Sequence, residues 1–152
     1  MRRSPSFFLA GIIQGSLADS IHGQEYRGAV KRAILERFPD ADIFDPIADH
    51  PNSLSYSDRK GREVFMGLLE ESRRRDCLIA FLPEASMGTA VEIWNAREAG
   101  KAVIAISPLE KNWVVRYLVD CVCEGLDEFA RLVESGGIER LLEVKSCGAA
   151  RS

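Results

Sequence analysis

A polar loop at residues 83–92, PEASMGTAVE, joins a short apolar run to a segment with helical spacing. A helix that begins in this loop offers unpaired backbone N–H groups and a partial positive charge, which suit an anion such as a phosphate. Ser86 or Thr89 can cap that helix and also contact the anion. Glu92 lies one turn into the helix, and because helical side chains lean toward the N-terminus, its carboxylate can reach the loop. A carboxylate there can act as a nucleophile or stabilise a developing cation.

The same loop also allows a purely structural interpretation. Thr89 and Glu92 have the spacing of a capping box, in which each side chain bonds to the backbone at the start of a helix. Under this interpretation Glu92 has no chemical role, and the spacing by itself favours neither alternative.

A second loop of interest spans residues 11–16, GIIQGS, after the first apolar run. Gly11 and Gly15 would let the backbone approach a ligand closely, because glycine has no side chain in the way. Gln14 and Ser16 could bond to a base or a phosphate. The alternative is an ordinary turn at the end of a strand. The loop contains neither the G-x-G-x-x-G pattern of dinucleotide sites nor the lysine of a phosphate-binding P-loop.

The elements that must position these loops alternate along the chain. Short apolar runs predict strands, and segments with helical periodicity predict helices between them. This order predicts an α/β fold, a doubly wound, Rossmann-like sheet of five parallel strands in three α/β/α layers. In such folds ligands bind beyond the carboxyl ends of the strands. We predict strands over 7–13, 41–45, 76–82, 102–107 and 120–123, and helices over 25–38, 61–75, 89–99, 113–120, 126–134 and 138–143.

Composition limits the classes of function. The chain has 152 residues, 46% of them hydrophobic, and a net charge of −3. We expect a single domain over 1–145 and a loose tail over 146–152. No apolar run is long enough to cross a membrane, and the acidic balance argues against binding a nucleic acid polymer. Four cysteines without a C-x-x-C pair, and only two histidines, predict no metal site.

The cysteine pattern also bears on the compartment. It does not form a disulfide framework, which favours a reducing cytoplasm. Arg2 and Arg3 before the apolar run at 7–13 superficially resemble a signal peptide. The run is short and no clear cleavage site follows it, so we interpret it as a buried first strand.

Three segments together resemble a known family: Phe8–Gly11, Ala80–Glu92 and Ala96–Val103. They are similar to the nucleoside 2-deoxyribosyltransferase superfamily, and the resemblance extends over roughly residues 7–107. It implies a flavodoxin-like fold and cleavage of N-glycosidic bonds through a glutamate in a G-x-x-x-E context. Glu92 would be that glutamate.

One position distinguishes the branches of this superfamily. The transferases usually have an aspartate six residues before the glutamate, where this chain has Ser86. A serine there is similar to the nucleoside 5′-monophosphate N-glycosidases, in which it binds the 5′-phosphate. The resemblance implies that Gly15, Ser16, Ser86 and Gly88 bind phosphate or ribose. It implies no metal and no cofactor.

The chain also departs from the family. A second carboxylate usually lies in the helix before the third strand, eight residues ahead of the aspartate that opens the strand. Counting back from Asp76 gives Leu68. Asp45, Asp58 or Glu63 could replace it from the connection before that helix or from its first turns. Without a replacement the departing base lacks a proton donor.

Residues 111–116 follow the fourth strand and resemble a region that reaches a neighbouring subunit's site in the monophosphate branch. The resemblance implies that Asn112 and Arg116 contact phosphate in trans and that the chain forms a homodimer or larger homo-oligomer. The alternative places Trp113 in the core and Arg116 in solvent. Tyr56 or His50 could stack on a base or be ordinary loop residues.

The sequence therefore predicts an enzyme that cleaves the N-glycosidic bond of a nucleoside 5′-monophosphate, with a small nucleotide or nucleoside as its partner. A deoxyribosyltransferase acting on nucleosides is the first alternative, and Ser86 counts against it. A non-catalytic nucleotide-binding or sensor protein is the second, and Leu68 favours it.

Overall fold

The computed structural model describes residues 3–11 and 25–149. The strands within these residues are β1 (Ser6–Gly11), β2 (Asp42–Phe44), β3 (Cys77–Phe81), β4 (Ala102–Ile106) and β5 (Cys121–Cys123). The helices are α1 (Glu25–Arg37), α2 (Pro46–Asp49), α3 (Asp58–Arg74), α4 (Met87–Glu98), α5 (Trp113–Leu118), α6 (Leu126–Glu134) and α7 (Gly137–Ala149). One turn of 3₁₀ helix spans Ser53–Ser55.

The strands form one parallel sheet in the order β2-β1-β3-β4-β5. Helices α1, α6 and α7 contribute to the apolar cluster on one face, and α3, α4 and α5 contribute to the cluster on the other. The predicted doubly wound α/β fold with three layers is therefore confirmed.

The central strands are apolar because both of their faces are buried. In β1, Phe7 and Leu9 pack toward α1, α6 and α7, whereas Phe8 and Ala10 pack toward α3, α4 and α5. Residues in β3 and β4 alternate in the same way. The continuous apolar runs in the sequence are therefore strands with two interior faces.

The strand order reverses direction at β1, which lies between β2 and β3. The parallel register pairs Ala10 with Ala80 and Gly11 with Phe81, so β1 and β3 end at the same level. A crevice at such a reversal is the usual ligand position in this fold. Gly11 and the loop before α4 meet there.

Several boundaries differ from the sequence prediction. Helix α4 begins at Met87 rather than at residue 89, because Ser86 caps it. The tail predicted from residue 146 is wrong for residues 146–149, which continue α7. The Ser146 hydroxyl donates to the Leu142 carbonyl at 2.9 Å, and extending an existing helix adds one backbone bond for each residue fixed.

Two further findings concern the chain as a whole. Among the described residues, none of the helices has the length and apolar character that crossing a membrane requires. All four cysteines are free thiols, and Cys77 is buried.

Candidate functional site

A cavity of about 330 Å³ opens at the carboxyl edge of the sheet, where β1 and β3 end. Its walls come from the end of β1, the 3₁₀ turn, α3 and the first turns of α4. Five of the predicted site residues line it: Gly11, Ser86, Gly88, Thr89 and Glu92. The structure therefore brings together residues that the sequence separates by more than 70 positions.

Two larger depressions lie elsewhere on the surface. One, of about 710 Å³, is lined by Arg3, Asp76 and residues of α7, at the amino ends of the strands. The other, of about 1260 Å³, lies along the ends of β4 and β5 beside α6. Neither is lined by Ser86 or Glu92, so the smaller cavity is the one that holds the predicted chemistry.

The start of α4 is built by Ser86. Its extended backbone places the hydroxyl where it accepts a hydrogen bond from the Thr89 N–H at 3.3 Å. Thr89 is thus the third helical residue and does not cap. The capping-box interpretation of Thr89 and Glu92 is wrong, because Ser86 already occupies the capping position.

Glu92 lies in the cavity wall, and only 7% of its surface is exposed. None of the described residues donates a hydrogen bond to its carboxylate. Burial raises its pKa from 4.5 to about 8, although the positive charge of Arg27 acts in the opposite direction. At neutral pH the side chain therefore carries a proton for most of the time.

Thr89 supplies a second polar group to the cavity. The residue is 2% exposed, and its hydroxyl oxygen has no hydrogen-bond partner among the described residues. A buried hydroxyl without a partner is costly, so such groups usually face a water molecule or a ligand. Its position in the wall beside Glu92 makes it available to a bound molecule.

The sequence predicted no role for Tyr26, which lies in the first turn of α1. Its ring stacks on Phe81 with centroids 3.9 Å apart, and its buried hydroxyl has no partner among the described residues. A Cβ atom at Gly11 would lie 1.9 Å from that hydroxyl oxygen. The glycine at position 11 therefore leaves room for the Tyr26 hydroxyl, and the predicted close approach of its backbone to a ligand stays a prediction.

Asp45, one of the proposed replacement carboxylates, is fully engaged. It accepts hydrogen bonds from the Arg27 guanidinium at 3.0 Å and the Ile47 N–H at 3.1 Å, and it pairs with Lys31 at 2.5 Å. Arg27 also donates to the Leu9 carbonyl. Because its oxygens are occupied by these contacts and it does not line the cavity, Asp45 does not supply the second carboxylate there. The signal that could have found this cluster is the i, i+4 spacing of Arg27 and Lys31.

Asp58 and Glu63 also stay outside the cavity. Asp58 begins α3 in an exposed position, and Glu63 is exposed and paired with Arg59 on the same helix. Leu68 lines the cavity at the place where the resemblance leads one to expect a carboxylate. Among the described residues, Glu92 is the one carboxylate in the cavity wall.

Asn112 and Arg116 lie apart from the main cavity. Asn112 caps α5 by accepting a hydrogen bond from the Val114 N–H, and it lines a smaller pocket of about 230 Å³ that shares Ser86 with the site. Arg116 is exposed and lies over the Tyr117 ring. Trp113 is 77% exposed, so its alternative assignment to the core is wrong.

An aromatic wall closes the side of the cavity formed by the connection before α3. Tyr56 and Phe65 line it, and the Tyr56 hydroxyl is 3.1 Å from His50 Nδ1. Gln14, Gly15 and Ser16 lie outside the described residues. Within the described ranges, no group of three histidine, cysteine or acidic side chains is placed to hold a metal ion.

No protein-family model and no curated protein sequence matches this chain. Solved structures do match it. A 2-deoxyribosyltransferase from Bacillus psychrosaccharolyticus aligns with a TM-score of 0.62 and 17% identity, over 82% of this chain and 90% of the other. A conserved protein from Enterococcus faecalis V583 aligns with a TM-score of 0.59 and 14% identity, over 88% and 99% of the two chains.

A third structure, the CMP N-glycosidase BcmB from Clostridium botulinum, aligns over 85% of this chain and 97% of its own with 16% identity. Its TM-score of 0.49 is too low to support an inference. The first likeness shows that the chain has the same fold as a protein described as a 2-deoxyribosyltransferase, which is the fold that the sequence resemblance implied.

Proposed function

We propose that this chain is an N-glycosidase that separates the base from the sugar of a nucleoside 5′-monophosphate, with Glu92 as the reacting carboxylate. The observation that carries the proposal is the state of Glu92, which is buried in the cavity wall, has no capping role and is held by none of the described hydrogen-bond donors. The fold shared with a protein described as a 2-deoxyribosyltransferase supports a reaction at a glycosidic bond.

The phosphate group would bind at the start of α4. Ser86 offers a hydroxyl, and the N–H groups of Met87 and Gly88 belong to the first helical turn, which has no intrahelical acceptors. Ser86 and Glu92 are six residues apart, or about 9 Å along a helix axis. Because the Glu92 side chain leans back toward the N-terminus, the remaining gap fits the span from a 5′-phosphate to C1′.

The reaction would take two displacements. The ionised Glu92 carboxylate forms a bond to C1′ while the C1′–N bond breaks and its electron pair leaves with the base. Water from solvent protonates the base, since the cavity wall contains no second carboxyl group within the described residues. A water molecule then adds to C1′ and gives its proton to the hydroxide left by the first step, Glu92 departs as the carboxylate, and a sugar 5-phosphate is released.

A deoxyribosyltransferase is the second candidate, favoured by the described activity of the first structural match. It would use the same covalent intermediate, which a second base rather than water would intercept. A non-catalytic nucleotide sensor is the third candidate, and the apolar Leu68 in the cavity favours it because a proton donor is missing.

A base-release assay tests the three candidates. We would incubate the protein with ribo- and deoxyribonucleoside 5′-monophosphates and the matching nucleosides, with and without a second base, and separate the bases by chromatography. Release from monophosphates alone supports the proposal. Base exchange on nucleosides identifies the transferase, and binding without release identifies the sensor.

Glu92→Gln is the diagnostic variant in this assay. We expect it to lower release at least about 10³-fold, because it removes the nucleophile. Glu98→Gln is the matched control, since Glu98 is an exposed glutamate on the same helix. Equal activity of Glu92→Gln and the wild-type protein would refute the role of Glu92.

We further propose that the chain acts as a homo-oligomer in the cytoplasm. Helices α4 and α5 expose Met87, Val91, Trp94, Trp113 and Tyr117, an unusual amount of apolar surface for a free monomer. Pairing of this face would bring Asn112 and Arg116 near a neighbouring copy. Sedimentation of the wild-type chain and of Trp94→Glu tests this, and the variant should be monomeric.

The proposed location in the cytoplasm is supported by the cysteines, because four free thiols fit a reducing compartment.

A further inference from the structure

Helices α1 and α4 pack on opposite faces of the sheet, yet both lie close to the end of β1. The register pairs Gly11 of β1 with Phe81 of β3, and Tyr26 in the first turn of α1 packs against both residues. Its ring stacks on Phe81, and its hydroxyl fills the space that a side chain at Gly11 would need.

The Tyr26 hydroxyl lies next to the wall of the cavity. Tyr26 is buried, its oxygen has no partner among the described residues, and Gly11, against which it packs, forms part of the same cavity wall as Glu92. Burial is the main cause that raises the pKa of the Tyr26 hydroxyl to about 12; the positive charge of Arg27 lowers this pKa, and the negative charges of Asp45 and Glu92 add to the rise. The hydroxyl therefore keeps its proton at every working pH.

We propose that Tyr26 is a positioning residue whose hydroxyl donates a hydrogen bond to the Glu92 carboxylate when that group ionises, so that one oxygen stays directed at C1′. A buried carboxylate needs such a donor, because an uncompensated charge in an apolar wall is costly. The catalytic meaning of this contact rests on the proposed function. The contact itself affects the pKa of Glu92 whether or not the proposed reaction takes place.

The other charged groups near Glu92 already have partners and are less suited than Tyr26 to donate a hydrogen bond to its carboxylate. From α1, Arg27 contributes a positive charge that lowers the pKa of Glu92, but its guanidinium is fixed by the Leu9 carbonyl and Asp45. Lys31, also on α1, pairs with Asp45.

The cavity walls formed by α3 and α4 supply fewer hydrogen-bond donors for the Glu92 carboxylate. Helix α3 contributes Gly61, Val64, Phe65 and Leu68 to the cavity, which bring no charge. From α4, the Thr89 hydroxyl is the one other buried group without a partner in this wall, among the described residues. Tyr26 differs from Thr89 because its phenol is the more acidic hydroxyl and therefore the stronger donor to an anion.

A direct titration of Glu92 tests the contact without requiring any activity. Protein labelled with ¹³C at glutamate side-chain carboxyls is titrated by NMR, and the Glu92 signal is identified by its loss in Glu92→Gln. We expect Tyr26→Phe to raise the pKa of Glu92 by roughly one to two units, because it deletes a hydrogen bond to the charged form. Tyr117→Phe, on the exposed face of α5, should leave that pKa unchanged.

A second measurement keeps the test decisive if Tyr26→Phe fails to fold. Incorporation of 3-fluorotyrosine in a Tyr56→Phe, Tyr117→Phe background makes the Tyr26 phenol a stronger donor at almost no change in volume, and the Glu92 pKa should fall. An unchanged Glu92 pKa in either folded sample overturns the proposal. If base release is found, the acid limb of kcat/KM against pH should move by the same amount. If none is found, the proposed function fails while the titration still decides the role of Tyr26.

Discussion

Two buried carboxylates lie at the carboxyl edge of this sheet, Asp45 after β2 and Glu92 in α4, and their surroundings differ sharply. They are 6% and 7% exposed, respectively. Asp45 is held by Arg27, Lys31 and the Ile47 N–H. Glu92 has no such donor among the described residues, and its pKa rises to about 8.

The difference in hydrogen-bond partners distinguishes a carboxylate that stabilises the fold from one that is a candidate for chemistry. A carboxylate whose lone pairs are filled by cations and an N–H group stabilises the elements around it and is not free to react. A carboxylate buried without donors destabilises the folded chain at high pH and is retained where a site needs it. Asp45 ties α1 to the end of β2, whereas Glu92 lies in the cavity wall with no described donor and is the carboxylate that the proposed function uses.

The largest expected effect is the loss of folding stability when Asp45 is replaced. Asp45→Asn should lower the free energy of unfolding by about 3–5 kcal/mol, because removing one partner leaves the buried Arg27 charge poorly compensated. Urea denaturation at pH 7 measures the change. Glu63→Gln, which alters an exposed ion pair, should cost less than about 1 kcal/mol. Equal losses in the two variants would remove the structural role assigned to Asp45.

The second prediction concerns the pH dependence of activity. The nucleophile must be ionised, and the free protein holds a proton on Glu92 below about pH 8. Between pH 6 and 8, kcat/KM should therefore rise about tenfold per pH unit and then level off. Initial rates at low substrate measure this. A profile that falls over the same range would make Glu92 a general acid instead.

The third prediction concerns stability and the same proton. The pKa of Glu92 is higher in the folded chain than in the unfolded one, so stability declines as pH rises from about 4.5 to 8 and the loss is complete above that range. Glu92→Gln should therefore raise the free energy of unfolding by about 4 kcal/mol at pH 9, relative to its effect at pH 5. Thermal unfolding at the two pH values provides the comparison, and an equal effect at both would contradict the raised pKa.

The smallest expected effect distinguishes two helix caps. Ser86→Ala and Ser57→Ala each remove a capping hydroxyl, from α4 and α3, and each should cost about 1 kcal/mol of stability. Only Ser86→Ala should also weaken the binding of monophosphates, by about tenfold, because it loses a hydrogen bond to a charged group. Calorimetric titration with a monophosphate and the matching nucleoside measures this. Equal weakening for both ligands would place the phosphate elsewhere.

The sequence already predicted much of the fold, and the reason is local. The runs that became β1, β3 and β4 are apolar throughout because both faces of a central parallel strand are buried, and that signal survives in a one-dimensional pattern. The start of a helix in the loop before α4 was also predictable, because N-capping depends on residues within one helical turn. The sequence left Ser86 and Thr89 as alternative caps because both residue types cap helices well, and the extended backbone of Ser86 decides for Ser86.

The sequence by itself therefore determined the order of the five strands and of the longer helices and the edge of the sheet where the candidate site lies, and its resemblance to a family proposed Glu92. The tertiary structure alone decided which polar groups are compensated. It excluded Asp45 as the second carboxylate of the site by pairing it with Arg27 and Lys31. It also placed the hydroxyl of Tyr26 against Gly11. Such contacts join helices on opposite faces of a sheet, and no periodic pattern encodes them because they depend on where two strands end relative to each other.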